Sequence, residues 1–443
     1  MSQHGRRALF YVLTLIFLIL GTSVVFFAQG WRMDLPSFHI SKVGGIYVHS
    51  YPENADIFLN GRSMQNQSGF LSRGTLISNL FPKTYHLALT AAGYDDWNEN
   101  VAVDPSLVAD HQYAVLIPAS AAYAATDTVA SFDAGTNGIL SESSSGKIMV
   151  NGKTIGSGKM IAVSPDMRSL IFQTSNGAIV FADLAEATTT NVSELFAEKG
   201  FSPVPEVQFS FDPSDDGAVF AVNAQKVEWF EMRENSGVTV SAASKGTVIT
   251  GNLAVSPSTA AWTHLLGKND TASSTLVFYD LSLKTIATTT VALGSPVKEL
   301  SWVTGNLLGI LSQDGSFFLY DTNQRTLQKI ADDVRSASAT QDGSRIAALE
   351  SRSLEIFTLG DPSGYYRFNL PNVADAQGTA WYRDDDHLFI FYADHVAFLD
   401  LEDAGLTNYA TVARGTSPQY NPDANALYLI DPQSRLIQFN FPR

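Results

Sequence analysis

The sequence predicts a nearly all-β protein held behind a single N-terminal transmembrane helix. Three observations carry that expectation. An uncharged apolar run of 21 residues, Ala8 to Ala28, opens the chain. After it, short alternating apolar stretches are separated by Gly, Pro, Asn and Asp, and few windows show a helical period. From Met160 onward, a strand–turn–strand pattern returns every 37 to 47 residues.

At 1.5 Å per residue the opening run spans about 31 Å, close to the ~30 Å hydrocarbon core of a bilayer. Its side-chain polar atoms are the hydroxyls of Tyr11, Thr14, Thr22 and Ser23. Arg6 and Arg7 precede it, and no acidic residue occurs before Asp34. The positive-inside rule therefore places residues 1–7 in the cytoplasm and the rest outside it. A cleaved signal peptide is the rival reading, with Gly21, Thr22 and Ser23 before the cut. Val24 to Phe27 continue the bulky run past that point, and cleavage after Ala28 would leave Phe26 where a small residue is required. An uncleaved signal anchor over residues 8–28 is expected. A buried core helix is disfavoured, because such helices rarely run this far without charge. Residues 29–43 form a juxtamembrane segment, with Trp31 and Arg32 at the far interface.

The 443 residues are 45% hydrophobic, enough for two or more cores, while only 16% are charged. Forty-four acidic residues against 28 basic give a net charge of −16, which argues against nucleic acid and anionic lipid as partners of the outer part. With no cysteine, a disulfide scaffold, a thiolate metal site and a cysteine nucleophile are excluded. The same absence suits a bacterial-style cell-envelope protein.

Residues 44–118 read as a small antiparallel β-sandwich of about six strands. Gly45 to Ser50 alternates until Pro52 ends it, and Asp56 to Leu59 follows. Asn60-Gly61 then supplies the positive φ angles of a tight hairpin. Tyr85, Leu87 and Leu89 alternate with His86, Ala88 and Thr90, and Trp97 to Val103 and Ala114 to Ile117 complete the set. Pro52-Glu53-Asn54-Ala55, the Asn60-Gly61 turn, Pro82 with Tyr85, and Gly93-Tyr94 together resemble the landmarks of a PEGA domain. Asn54 replaces a glycine of that pattern and tolerates left-handed backbone; Lys83 replaces another. The resemblance implies a noncatalytic β module of surface and envelope proteins.

Residues 119–128 (ASAAYAATDT) are small and weakly patterned and read as a linker. Residues 129–443 hold the repeats. Clear copies are Ile161 to Asp166 with Ile179 to Leu184, and Leu253 to Ser258 with Leu276 to Leu281. Their corresponding turn residues are Ser164, Ser210, Ser256, Val303, Thr340, Tyr382 and Tyr420. The period is that of a four-stranded propeller blade. The turns resemble the Ser-Pro-Asp-Gly type of TolB-like and WD-repeat-like β-propellers. Seven blades are counted, with eight open, because Ile139 to Ile155 supplies either a closing edge strand or most of a further blade. Closure matters, since an open ring leaves two β edges free.

No catalytic constellation stands out: there is no Gly-x-Ser-x-Gly, no HExxH and no phosphate-binding glycine loop. Asp212, Ser214 and Asp216 with Gly217 imitate the first half of a calcium loop, but the twelfth position is Asn223 and the stretch falls where other repeats turn. Arg383 to His387 also falls at a repeat turn and reads as a solvated turn rather than a metal or ligand site. Trp262, Trp302 and Trp381 are expected to pack between blades rather than to form a glycan-stacking platform. Thr188 to Thr190 and Thr288 to Thr290 read as exposed outer strands. No cofactor is expected. The function expected is a noncatalytic envelope binding or scaffold protein, single-pass, presenting its β domains to a protein or polysaccharide. The alternatives are a glycan-acting lyase or hydrolase working in the propeller channel, and a purely structural surface-layer component.

Overall fold

The structure is a computed structural model describing residues 3–34, 39–68, 73–201, 207–244, 247–266, 274–361, 364–402, 406 and 409–442. Residues 1, 2 and 35–38, within the segments expected as cytoplasmic and juxtamembrane, lie outside the described set. The chain forms two compact units, residues 1–120 with 441–443, and residues 121–440.

In the first unit, helix α1 (Gln3–Ala28) contains a 20-residue stretch, Leu9–Ala28, that is long and apolar enough to cross a membrane, with mean hydropathy 2.5. None of that stretch is buried in the protein. Two of its hydroxyls are spent internally: Thr22 Oγ1 donates to Leu18 O and Ser23 Oγ to Ile19 O, both at 2.8 Å. In hydrocarbon, where an unmade hydrogen bond costs several kcal/mol, this back-bonding leaves neither hydroxyl without a partner. Gly30, at φ +83°, ends the helix, since only glycine enters that region without strain.

Strands β1 (Trp31–Asp34) and β2 (His39–Lys42) pair as a two-stranded ribbon. Seven more strands follow: β3 (Gly44–Tyr51), β4 (Asp56–Leu59), β5 (Arg62–Met64), β6 (Thr75–Leu80), β7 (Lys83–Thr90), β8 (Trp97–Val103) and β9 (Val108–Val115). They form two sheets, in the orders β6-β3-β9 and β5-β4-β7-β8. The fold departs from a purely antiparallel module, because β3 and β9 run parallel. Ile46 and Val48 of one sheet and Ile57, Leu87 and Leu89 of the other share one buried core. Asn60 and Gly61 take φ +49° and +75° between β4 and β5, the mirror-type turn that matches strand twist. Asn54 is not left-handed, and Lys83 begins β7 opposite Val103, so neither position requires a glycine.

The second unit contains six four-stranded antiparallel sheets, over residues 159–191, 208–242, 247–291, 297–331, 334–368 and 376–414, numbered 1 to 6 here. A seventh sheet has seven strands. It joins β10 (Ala122–Gly135), β11 (Gly138–Ser143), β12 (Lys147–Val150) and β13 (Lys153–Ser157) to Arg435–Asn440, Ala426–Ile430 and Thr416–Asn421. Packing runs from sheet to sheet in chain order. Phe181 shares a buried cluster with Phe211 and Phe230, Phe220 with Trp262, and Leu276 with Leu300. Further round, Phe317 meets Ile346, and Leu349 meets Leu388. Tyr420 of the seventh sheet stacks near Phe389 of sheet 6 at 4.7 Å, and Leu140 and Ile148 of the same seventh sheet pack with Leu170 and Phe172 of sheet 1. Four-stranded meanders packed face to face in cyclic order make a β-propeller.

Residues 122–128 are not a linker. They form the first half of β10, with Ala122 opposite Gln438 and Thr128 opposite Arg435. The closing edge therefore comes from this stretch, while Ile139 to Ile155 builds β11, β12 and part of β13. The repeat alignment also drifts: Ser210 lies inside a strand opposite Phe220, and Asp212 ends that strand and caps the turn after it. Val303 and Tyr420 likewise sit in strands.

Candidate functional site

In an antiparallel four-stranded meander, the first and third hairpin turns fall at one end. Adjacent sheets bring these ends together. Asn137 Nδ2 donates to Asp166 O, Ser214 Oγ to Pro257 O at 3.0 Å, and Asn421 Nδ2 to Ala134 O at 3.4 Å. Arg345 Nη1 reaches Asp385 O at 2.7 Å, and Asn425 Nδ2 reaches the Tyr382 hydroxyl at 3.2 Å. The turns thus form one continuous face of the propeller, and this face is the candidate site.

Two repeated devices shape it. At the first turn, Ser164 Oγ accepts from the amides of Arg168 and Ser169, Thr340 Oγ1 from Arg345 N, and Ser256 Oγ from Thr259 N. At the end of the third strand, an aspartate caps the next turn: Asp183, Asp280 and Asp321 each accept from two successive amides. Four residues after each cap, Ala187, Lys284 and Arg325 adopt φ near +55°. Acidic residues are therefore required by turn geometry at this end of every such repeat, and the face is acid-rich as a consequence.

The sequence candidates fall into two charged nodes. In the first, Asp212 Oδ1 accepts from Ser214 N at 2.8 Å and from Ser214 Oγ at 2.9 Å. Asp216 points instead at Arg233 Nη2, 2.6 Å away, while Arg233 Nε binds Asp183 at 2.9 Å. The three supposed calcium ligands do not converge, and Arg233 supplies the cation. Burial pushes the Asp183 carboxyl up, but the amides of Glu186 and Ala185 and the Arg233 guanidinium hold it below its ordinary range. Among the described residues, no group of three or more His, Asp and Glu could hold a metal ion.

In the second node, Asp384 Oδ1 accepts from the amides of Asp386 and His387, and its other oxygen lies 2.9 Å from His387 Nδ1. His387 Nε2 is 3.7 Å from Asp400. The imidazole is 1% exposed and stacked 5.0 Å from Phe398. Burial alone would lower its pKa; Asp384, Asp400 and Asp386 raise it above the ordinary histidine value. Turn and third strand are clamped through a buried imidazole that two carboxylates face, with the ring turned away from solvent. A cleft of about 400 Å³ beside this node is lined by Arg345, Tyr366, Arg367, Asp386 and Glu402.

The tryptophans join neighbouring sheets. Trp302 Nε1 donates to Ala254 O and Trp381 Nε1 to Ser338 O, each at 3.2 Å, while Trp262 is fully buried and bonds His264. Thr188–Thr190 is an exposed outer strand, and Thr288–Thr290 lies on another. Sequence reasoning missed Arg233 and Arg345, because an arginine's partner is set by the neighbouring sheet. The aspartate closing the third strand was the visible signal for Asp183 and Asp400.

No family model and no curated protein matches this chain. Among solved structures, Porphyromonas gingivalis dipeptidyl peptidase 4 is similar at 10% identity and a TM-score of 0.50, covering 70% of this chain and 56% of that one. An oligogalacturonate lyase in complex with manganese gives 11% identity and a TM-score of 0.46, covering 72% of this chain and 99% of that one. The Vibrio parahaemolyticus oligogalacturonate lyase gives 8% and 0.45, covering 71% and 98%. At such identities the likeness concerns the fold alone.

Proposed function

We propose that this is a noncatalytic, single-pass membrane protein of the cell envelope, holding a β-sandwich and a β-propeller outside the cytoplasm as a binding or scaffold surface. The observation that carries the reading is the wholly exposed apolar helix ahead of a large β part whose turn-face acids are consumed by turn caps and ion pairs. Arg6 and Arg7 on its N-terminal side favour a cytoplasmic N-terminus. The partner is a protein or polysaccharide, and the acid-rich face favours a neutral or basic one over a polyanion.

Two finer readings belong to this proposal. The propeller has eight blades of four strands. The seventh sheet divides where Val129 N donates to Ser434 O at 2.7 Å, so that 122–128 completes the blade of 416–440 and 129–157 forms another. The 44–118 module is PEGA-like. Ala55 is fully buried beneath its turn, Tyr85 donates its hydroxyl to Phe81 O at 3.1 Å, and Gly93 turns at φ +87°.

Crosslinking in intact cells followed by mass spectrometry tests the function. Repeated recovery of one protein or glycan through turn-face residues is expected. Recovery of bilayer neighbours alone, or turnover of glycan or peptide by the purified protein, would overturn it.

A further inference from the structure

The β1–β2 ribbon has two chemically distinct faces. Its register pairs Trp31 with Lys42 and Met33 with Ile40 on one side, and Arg32 with Ser41 on the other. The Arg32 side is turned to the protein. Its guanidinium lies 3.5 Å from the Phe27 ring centroid, donates to Phe27 O at 2.7 Å and reaches Asn79 Oδ1 of β6 at 3.1 Å. The opposite side is left open: Met33 and Ile40 are each 52% exposed, a large cross-strand apolar pair.

Position decides what covers that pair. Gly30 turns the chain back at the end of α1, and Val43 N donates to Gly30 O at 2.9 Å, fixing the foot of the ribbon there. The Trp31 ring sits 6.1 Å from Phe26, within the last turn of the helix. Lys42 Nζ lies 5.6 Å from the Trp31 ring, so the apolar pair is flanked by an aromatic ring and a cation. An amphipathic ring, a lysine and two large apolar side chains beside the end of an apolar helix match the chemistry of the headgroup–acyl boundary. Lys42 is a local cation in a chain of net charge −16, on the same side of the ribbon as the apolar pair.

We propose that the β1–β2 ribbon is a second membrane contact, seated in the interfacial layer. Met33 and Ile40 enter the acyl boundary, Trp31 lies at headgroup level, and Lys42 pairs with phosphate. The ribbon thereby fixes the tilt of the sandwich on its anchor. This rests on the reading of Leu9–Ala28 as a spanning helix.

Because the chain has no cysteine, single labels are unique. The full-length Met33→Cys and Ile16→Cys variants, carrying an environment-sensitive fluorophore, are reconstituted in phosphatidylcholine vesicles containing nitroxide lipids. The expected result is loss of emission to lipid nitroxide at both positions, with the label at 33 shielded from aqueous iodide. Quenching at 16 with an iodide-accessible, unquenched label at 33 overturns the ribbon's insertion and spares the anchor. No quenching at 16 overturns the anchor, and the ribbon proposal with it.

Discussion

His387 shows how a single side chain ties two turns of one blade. A neutral imidazole has one N–H, yet both ring nitrogens face carboxylates, Asp384 at 2.9 Å and Asp400 at 3.7 Å. The protonated ring satisfies both, which is why its pKa rises despite full burial. A histidine whose folded pKa exceeds its unfolded value stabilises the fold fully below about pH 6.5, and that contribution is lost as pH rises through the folded pKa. His387→Gln removes the ring that both carboxylates face and is expected to cost about 3 kcal/mol below about pH 6.5. Thermal unfolding of both proteins across pH checks the sign: the gap is widest below about pH 6.5 and narrows as pH rises above it. A gap that widens with pH contradicts the clamp.

At the scale of elements, legibility followed burial pattern. The β7 strand was readable because Tyr85, Leu87 and Leu89 are buried while the residues between them are more exposed, giving period two in sequence. The propeller repeats were readable instead as continuous apolar runs, buried on both faces and recurring between turns such as those capped by Ser164, Thr340 and Asp280. The closing strand was not. Residues 122–128 are mostly small, and their extended form is imposed by Arg435–Gln438, some three hundred positions away, not by their own pattern. The β5 and β6 strands were hidden because each is a short edge with few buried residues. Of the candidate site, the positions of the turns were legible but the pairings of Arg233 and Arg345 were not, since both cross between sheets. Replacing 122–128 by a Gly/Ser run of equal length is therefore expected to expose the edge of Arg435–Asn440, lower the melting temperature and produce soluble aggregates in size-exclusion chromatography. An unchanged, monodisperse protein would show that the ring closes without this strand. For α1 the test is a charge at its centre: Ile16→Lys raises the cost of insertion by about 3 kcal/mol and should release protein from the membrane fraction, read by carbonate extraction.

Over the whole molecule, one apolar helix precedes two β units, and the propeller's capping aspartates serve local structure. Turn caps place carboxylates at one end of the propeller and make that end a charged surface, and the likeness to solved structures concerns the fold alone. The central claim is that the anchor holds both β units on the extracytoplasmic side. Leu283, at a third-to-fourth-strand turn of sheet 3, is 71% exposed, and the cysteine-free background makes Leu283→Cys the sole thiol. Spheroplasts bearing this variant are treated with a membrane-impermeant maleimide before and after lysis. The account predicts full labelling of intact spheroplasts, with no gain on lysis. Labelling that appears only after lysis would place the propeller in the cytoplasm and contradict it.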